Sequence, residues 1–256
     1  MPETSNNPYN YVGELHNKTL DYVNSQALIR EIPREELLRT INTWVMQKPE
    51  LKDYSNSPLS RNLPLDDANK YLSLAKKNVK TNAPSLVEGS GPFLDVTEVL
   101  AAMREDDKIT LEQETIMLAF FNGLVNLTSA AEARQYVTAF ETTIINGNYG
   151  VDDKAIYLGT AAVLKYSIAY WETNTDGFGL DPNALATRGR CRWYHWFCIA
   201  PFDALGFFVG AAGGLATSAG NPIIGVGAGV VVGSLASTVA INCGWCGCNG
   251  SWAPCM

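Results

Sequence analysis

Residues Asp203–Ile241 read DALGFFVGAAGGLATSAG, then NP, then IIGVGAGVVVGSLASTVAI. From Ala204 to Met256 the chain has no Asp, Glu, Lys, Arg or His. Gly206, Gly210, Gly214 and Ser218 recur every fourth residue. After the NP break, Gly225, Gly229, Gly233 and Ser237 do the same. Residues four apart on a helix share a face, so each ladder is a strip almost without side chains, along which another backbone can come close. In water each mid-helix Gly costs about 0.8–1 kcal/mol relative to Ala, so six ladder glycines cost roughly 5–6 kcal/mol. Close interhelical packing is the expected compensation. Asp203 suits an N-cap, Gly220 a helix stop, Asn221 a second N-cap and Pro222 a first turn. The stretch therefore predicts two antiparallel helices whose ladders face each other.

Each predicted helix holds about 16–19 residues, or roughly 24–28 Å at 1.5 Å per residue. A bilayer core is about 30 Å thick. Two readings stay open at this point: a hairpin that inserts in a membrane, and a hairpin buried as the core of a helical protein.

Working outward, all six cysteines flank the hairpin: Cys191 and Cys198 before it, Cys243, Cys246, Cys248 and Cys255 after it. An antiparallel hairpin brings its two ends together, so these thiols are expected to gather as a disulfide clasp in an oxidising compartment. The alternative is zinc, held by the CxxCxC run Cys243–Cys248 with Cys191, His195 and Cys198. Aromatic and basic residues collect at the same end: Arg188, Arg190, Arg192, Trp193, Trp196, Trp245 and Trp252. Trp at a membrane–water boundary, with Arg meeting lipid phosphate, is one reading of that cluster. Aromatic packing against a disulfide knot is the other. Arginines at the hairpin's ends favour the cytoplasmic side, whereas cysteines favour an oxidising one. Export reconciles the two, so an exported or membrane-associated location is expected, with a cytoplasmic one as alternative. MPETSNNPYNYVG shows no basic, apolar leader.

The preceding part predicts an all-helical domain over residues 1–175, then a Gly-, Asn- and Pro-punctuated linker over 176–190 and the Cys-flanked hairpin over 191–256. Helices are expected from Pro8 to Ser25, from Pro33 through REELLRTINTWVMQK, over Pro64–Lys80 and over Leu94–Arg104. Thr110 with Gln113, and Ser129 with Glu132, have the spacing of capping boxes that open two more. Asp152 and Asp153 open a last one, AIYLGTAAVLKYSIAYWE. Residues 49–63, with Pro49 and Pro58, read as a loop. The fold class is all-α: a helical bundle followed by a glycine-zipper hairpin with a Cys-rich clasp.

A net charge of −7 over 256 residues argues against nucleic acid as a partner. Phosphate loops, HExxH, GxSxG and EF-hand motifs are missing from the sequence. His16 and His195 are the only histidines, and His16 reads as a polar cap or core contact. The chain is expected not to be an enzyme, to need no cofactor unless zinc, and to bind no small-molecule substrate. Its expected partners are membrane lipid or a second copy through the hairpin.

GFFVGAAGGLATS and GVGAGVVVGSLAS resemble the Gly- and Ala-rich hydrophobic segments of bacteriocin-like peptides and other glycine-zipper membrane proteins. NPYNYVGELHNKTLDYV resembles the start of uncharacterised, often exported bacterial proteins that carry an all-helical domain. The first resemblance covers the tail and implies membrane activity; the second covers the opening and implies no particular chemistry. The leading functional expectation is thus a bilayer-inserting or oligomerising, bacteriocin- or toxin-like hairpin. The alternative is an exported structural or interaction protein with the hairpin as core and the cysteines as staples. Native mass spectrometry without reductant is expected to find the chain lighter by six hydrogens; stoichiometric zinc instead would replace the clasp.

Overall fold

The computed structural model describes residues 6–25, 34–63, 65–78, 93–127, 129–173, 196–218 and 220–242. Of these, 84% are helical, which makes the chain all-α. The helices are α1 (Asn10–Ser25), α2 (Arg34–Met46), α3 (Lys52–Asn56), α4 (Leu65–Leu74), α5 (Thr97–Glu105) and α6 (Leu111–Gly123). Then come α7 (Ala130–Asn146), α8 (Val151–Thr173), α9 (Trp196–Thr217) and α10 (Pro222–Asn242).

Local chemistry places most of the boundaries. At α6, Thr110 Oγ1 accepts the Gln113 N–H at 3.1 Å and Gln113 Oε1 accepts the Thr110 N–H at 2.8 Å, closing a capping box. At α7, Ser129 Oγ accepts the Glu132 N–H at 3.1 Å. Three stretches depart from expectation, one of them the helix expected from Leu94, which starts at Thr97 because Phe93–Asp95 is a strand. Residues 49–63 contain α3 between two 3-10 turns, Pro49–Leu51 and Pro58–Ser60, each opened by a proline whose fixed φ suits a first turn. The segment is ordered by burial, since Leu51 and Tyr54 are fully enclosed. The helix expected over Pro64–Lys80 ends at Leu74. Lys76–Asn78 (β1) instead pairs antiparallel with Phe93–Asp95 (β2), Lys77 opposite Leu94. A three-residue ribbon is too short to show a period of two, so pattern alone could not reveal it.

α9 and α10 form the antiparallel hairpin. The turn is made as the sequence implies: Gly220 has φ +82° and its N–H donates to the Leu215 carbonyl at 3.3 Å. Only glycine adopts that φ without steric cost. Asn221 Oδ1 then accepts the N–H of Ile223 at 3.0 Å, capping α10. The helices are longer than expected, 22 and 21 residues. The extra length in α9 lies before Asp203, through Pro201. Asp203 is therefore not an N-cap: it sits inside α9, and its carboxylate is engaged by other helices.

The hairpin lies among the remaining helices. α9 packs chiefly on α8 and is flanked by α4 and β2, while α10 is flanked by α1, α2, α3 and α8. α8 is itself buried along most of its length, with α1 and α7 against it. Residues of the hairpin and of α1–α8 belong to one continuous apolar core. Among the described residues, the exposed large hydrophobics are Leu111 and Val151.

The two ladders face one another in register. A Cβ built on Gly206 would lie 3.0 Å from the Gly233 Cα, one on Gly210 2.9 Å from the Gly229 Cα, and one on Gly214 3.0 Å from the Gly225 Cα. At Gly210 it would also meet the Ala228 carbonyl oxygen at 2.6 Å. Gly213, off the ladder, has nothing within 4 Å of such a Cβ. Opposite outcomes follow for two similar substitutions. Gly210→Ala is expected to destabilise by about 1–3 kcal/mol through overpacking. Gly213→Ala is expected to stabilise by about 0.8–1 kcal/mol through helix propensity. Urea denaturation of both variants checks the pair.

Candidate functional site

The most distinctive site is where the jacket of helices grips the hairpin's base. Asp203 is the hairpin's one carboxylate before the uncharged run, and it is fully buried. Ser167 Oγ and Trp171 Nε1 of α8 donate to its Oδ2, the indole at 3.0 Å. Ser167 and Trp171 are four apart, so one face of α8 supplies both. From α10, Ser237 Oγ donates to Oδ1. Carboxylates taken out of water need this density of donors. Even so, burial pushes the Asp203 carboxyl up to about 7, against the lowering effect of its three hydrogen bonds.

His16 of α1 completes the cluster. It is fully buried, its Nε2 is 3.3 Å from Ser237 Oγ and 4.0 Å from Asp203 Oδ2. Its Nδ1 lies 3.2 Å from Asn17 Oδ1. The Asn17 amide is oriented by its own Nδ2, which donates to the Tyr166 carbonyl at 3.0 Å. The oxygen it turns to the ring can only accept, which favours the tautomer with the proton on Nδ1. Burial holds the imidazole down at about 4, against hydrogen bonds to Asn17 and the Gly233 carbonyl. Ser, His and Asp are thus together, but the serine stands between the other two and the group is sealed from solvent. A nucleophilic triad requires the histidine in the middle and access for substrate.

A second buried polar group ties the start of the chain to α7 and α8. Lys165 Nζ donates to both oxygens of Glu141 at 2.9 Å, with side-chain exposures of 1% and 0%, and to Asn10 Oδ1 at 2.9 Å. Asn7 Nδ2 donates to Glu141 Oε1 at 2.7 Å and to the Leu158 carbonyl at 2.9 Å. This pair is enclosed and hydrogen-bonded on several sides, the arrangement under which burying two charges is tolerated.

Of the residues singled out in the sequence, Gly206, Gly210, Gly214, Gly225, Gly229 and Gly233 lie at the α9–α10 contact. Ser218 follows the end of α9, its N–H donating to the Leu215 carbonyl at 3.2 Å. Ser237 continues the ladder but is above all a polar partner of Asp203. Cys198 and Trp196 fall in the first turn of α9, where the backbone alone is described. Cys191, Cys243, Cys246, Cys248, Cys255, Arg188, Arg190, Arg192, Trp193, Trp245 and Trp252 lie outside the described residues, as does the linker over 176–190. Among the described residues no group of His, Cys, Asp and Glu is placed to hold a metal ion.

Sequence reasoning missed both buried clusters, although each left a signal. Opposed ladders pair positions whose numbers sum to a constant, so one ladder step beyond Gly206 and Gly233 sets Ser237 opposite Phe202, the neighbour of Asp203. Lys165 stands alone in YLGTAAVLKYSIAYW, and a lysine so placed needs a partner. Which carboxylate supplies it depends on how α7 packs. No family model matches this chain, and neither the curated proteins nor the solved structures compared with it gave a match.

The Lys165–Glu141 pair generates a stability prediction. Lys165→Met leaves Glu141 buried and unpaired, an expected loss of about 3–5 kcal/mol. Adding Glu141→Leu is expected to recover more than half of it, measured by chemical denaturation.

Proposed function

We propose that this is a membrane-interacting protein that carries its glycine-zipper hairpin enclosed, and that the hairpin enters a bilayer or self-associates once the surrounding helices open. The observation that supports this most directly is the difference between the two sets of contacts α9 and α10 make. Along the ladder they touch each other backbone to backbone, the kind of contact that lipid does not replace. Towards α1, α2, α4 and α8 they present apolar side chains apart from Asp203 and Ser237 at the base, and lipid tails are as apolar as those side chains. Exchanging jacket for lipid therefore costs the hairpin little beyond the Asp203 contacts to α8, while leaving it intact as a unit. Ile199–Thr217 is long and apolar enough to cross a membrane, and Pro222–Thr238 is apolar but shorter. In the enclosed form described here, protein covers both.

A bacteriocin- or toxin-like, extracytoplasmic role is the finer form of this reading. It draws on the resemblance of the two ladder segments, on the even number of cysteines flanking the hairpin and on the arginines and tryptophans at its ends. A second reading has an observation of its own. Tyr54 fits against Gly227, where a Cβ would fall 2.2 Å from its ring. Leu59 likewise reaches Gly214. Jacket side chains keyed to hairpin glycines suit a permanent core of an exported structural or interaction protein.

The two readings separate in one experiment. Full-length protein is added to dye-loaded vesicles of mixed neutral and anionic lipid while amide hydrogen exchange is followed. Insertion is expected to release dye and to expose the amides of α1 and α8 while residues 199–217 and 222–238 stay protected. Absence of binding and leakage at any lipid ratio, with exchange unchanged, leaves the hairpin as core alone.

A further inference from the structure

The base of the hairpin holds two titratable groups, Asp203 and His16, joined through one hydroxyl. Ser237 Oγ is within hydrogen-bond reach of both Asp203 Oδ1 and His16 Nε2, and has one proton to give. With one mobile proton in the group, two arrangements keep Ser237 hydrogen-bonded to both Asp203 and His16, with the Gly233 carbonyl as a further acceptor at 3.3 Å from the hydroxyl. In the first, the protonated carboxyl donates to Ser237 and the hydroxyl donates to the bare Nε2. In the second, the carboxyl proton has passed to Ser237 and the hydroxyl proton to Nε2. The imidazolium then donates to Ser237, and Ser237 to the carboxylate. Each arrangement is neutral as a whole. Removing that proton leaves a lone negative charge and Nε2 facing oxygen lone pairs. Adding another gives a lone positive charge, even though the hydroxyl can accept from both donors and turn its own proton to the Gly233 carbonyl. Both are costly where no water enters.

We propose that His16 and Asp203 act as one buried proton site, bridged by Ser237, that holds a single proton between them and keeps the hairpin's base electrically neutral. The groups packed against Asp203 support this. α1 offers His16; α8 offers Ser167 and Trp171, which do not titrate in this range; α10 offers Ser237. Lys165 and Glu141 neutralise each other through their own contact.

The direction of each group's shift gives the same count. Folding raises Asp203 from 3.8 to about 7, so on its own it makes the fold less stable as pH rises from about 4 to about 7. Folding lowers His16 from 6.5 to about 4, so on its own it makes the fold more stable as pH rises from about 4 to 6.5. Over roughly pH 4–6.5 the folded and unfolded states then bind the same number of protons at these two residues, and the two slopes cancel. For the membrane-entry reading, on which this functional consequence rests, the site holds the hairpin base neutral across that range. Acidification within it does not loosen the grip.

The test uses full-length protein without lipid, so its result is independent of any vesicle experiment. Stability is measured by urea denaturation from pH 4 to 8 for the parent, Asp203→Asn and His16→Gln. Relative to the parent, Asp203→Asn is expected to gain stability with rising pH between about 4 and 6.5, about tenfold in the folding constant per pH unit. His16→Gln is expected to lose it at a similar rate between about 4 and 7. Slopes of the same sign, or none in either variant, overturn the proposal. If either variant fails to fold, isotope-edited NMR of the parent decides, with His195→Gln used to assign the His16 ring. The ring nitrogens and the Asp203 carboxyl carbon are expected to shift together in one step near neutral pH. Separate steps for the ring and for the carboxyl between about pH 5 and 8, or a carboxyl that titrates below about 5, would overturn it; the second proton binds only near pH 4.

Discussion

The structure depends on the back-to-back contact between α9 and α10. Six glycines, paired as 206 with 233, 210 with 229 and 214 with 225, let two helices meet with Cα atoms where side chains would otherwise stand. The cost in helix propensity is offset only if both strips are filled by the opposite backbone, so neither helix is satisfactory alone. That requirement makes the hairpin a unit. The same bare strip forces the bulky side chains of both helices outward, towards whatever surrounds them. In this fold the surroundings are α1, α2, α3, α4 and α8.

An apolar hairpin inside a helical jacket has no directional reason to sit at one depth or rotation, because burial of apolar surface is non-directional. The polar clusters supply that direction. Asp203 is engaged from α8 and α10 at once, with His16 of α1 beside it, so three jacket and hairpin faces meet at one carboxylate. Lys165, Glu141, Asn7 and Asn10 do the same for the opening segment, α7 and α8. Burying charge adds little net stability, but a misplaced register would strand these groups without partners, and that penalty defines the arrangement. The membrane-entry proposal draws on this division of labour: a self-contained zipper within, replaceable apolar contacts around it, and a few polar fastenings between.

Much of the architecture was legible in the sequence. The hairpin, its turn at Gly220 and Asn221, and the helix starts at Thr110 and Ser129 rest on local rules of spacing and capping, and these hold wherever the segment lies in the fold. The misreadings share a cause. Asp203 has the chemistry of an N-cap, and local rules place it there. Tertiary donors on Ser167, Trp171 and Ser237 satisfy its carboxylate instead, and α9 runs back past it to Trp196. The helix expected over Pro64–Lys80 stops at Leu74 because β1 finds a partner in β2, nearly twenty residues along the chain.

What the sequence determined by itself is the all-α class and a hairpin with facing small-residue ladders, because period and punctuation are properties of neighbours in the chain. Only the tertiary structure decided what encloses that hairpin and which groups meet Asp203, His16 and Lys165. Those contacts join residues from opposite ends of the chain, and their hydrogen-bond geometry exists only once the helices have packed.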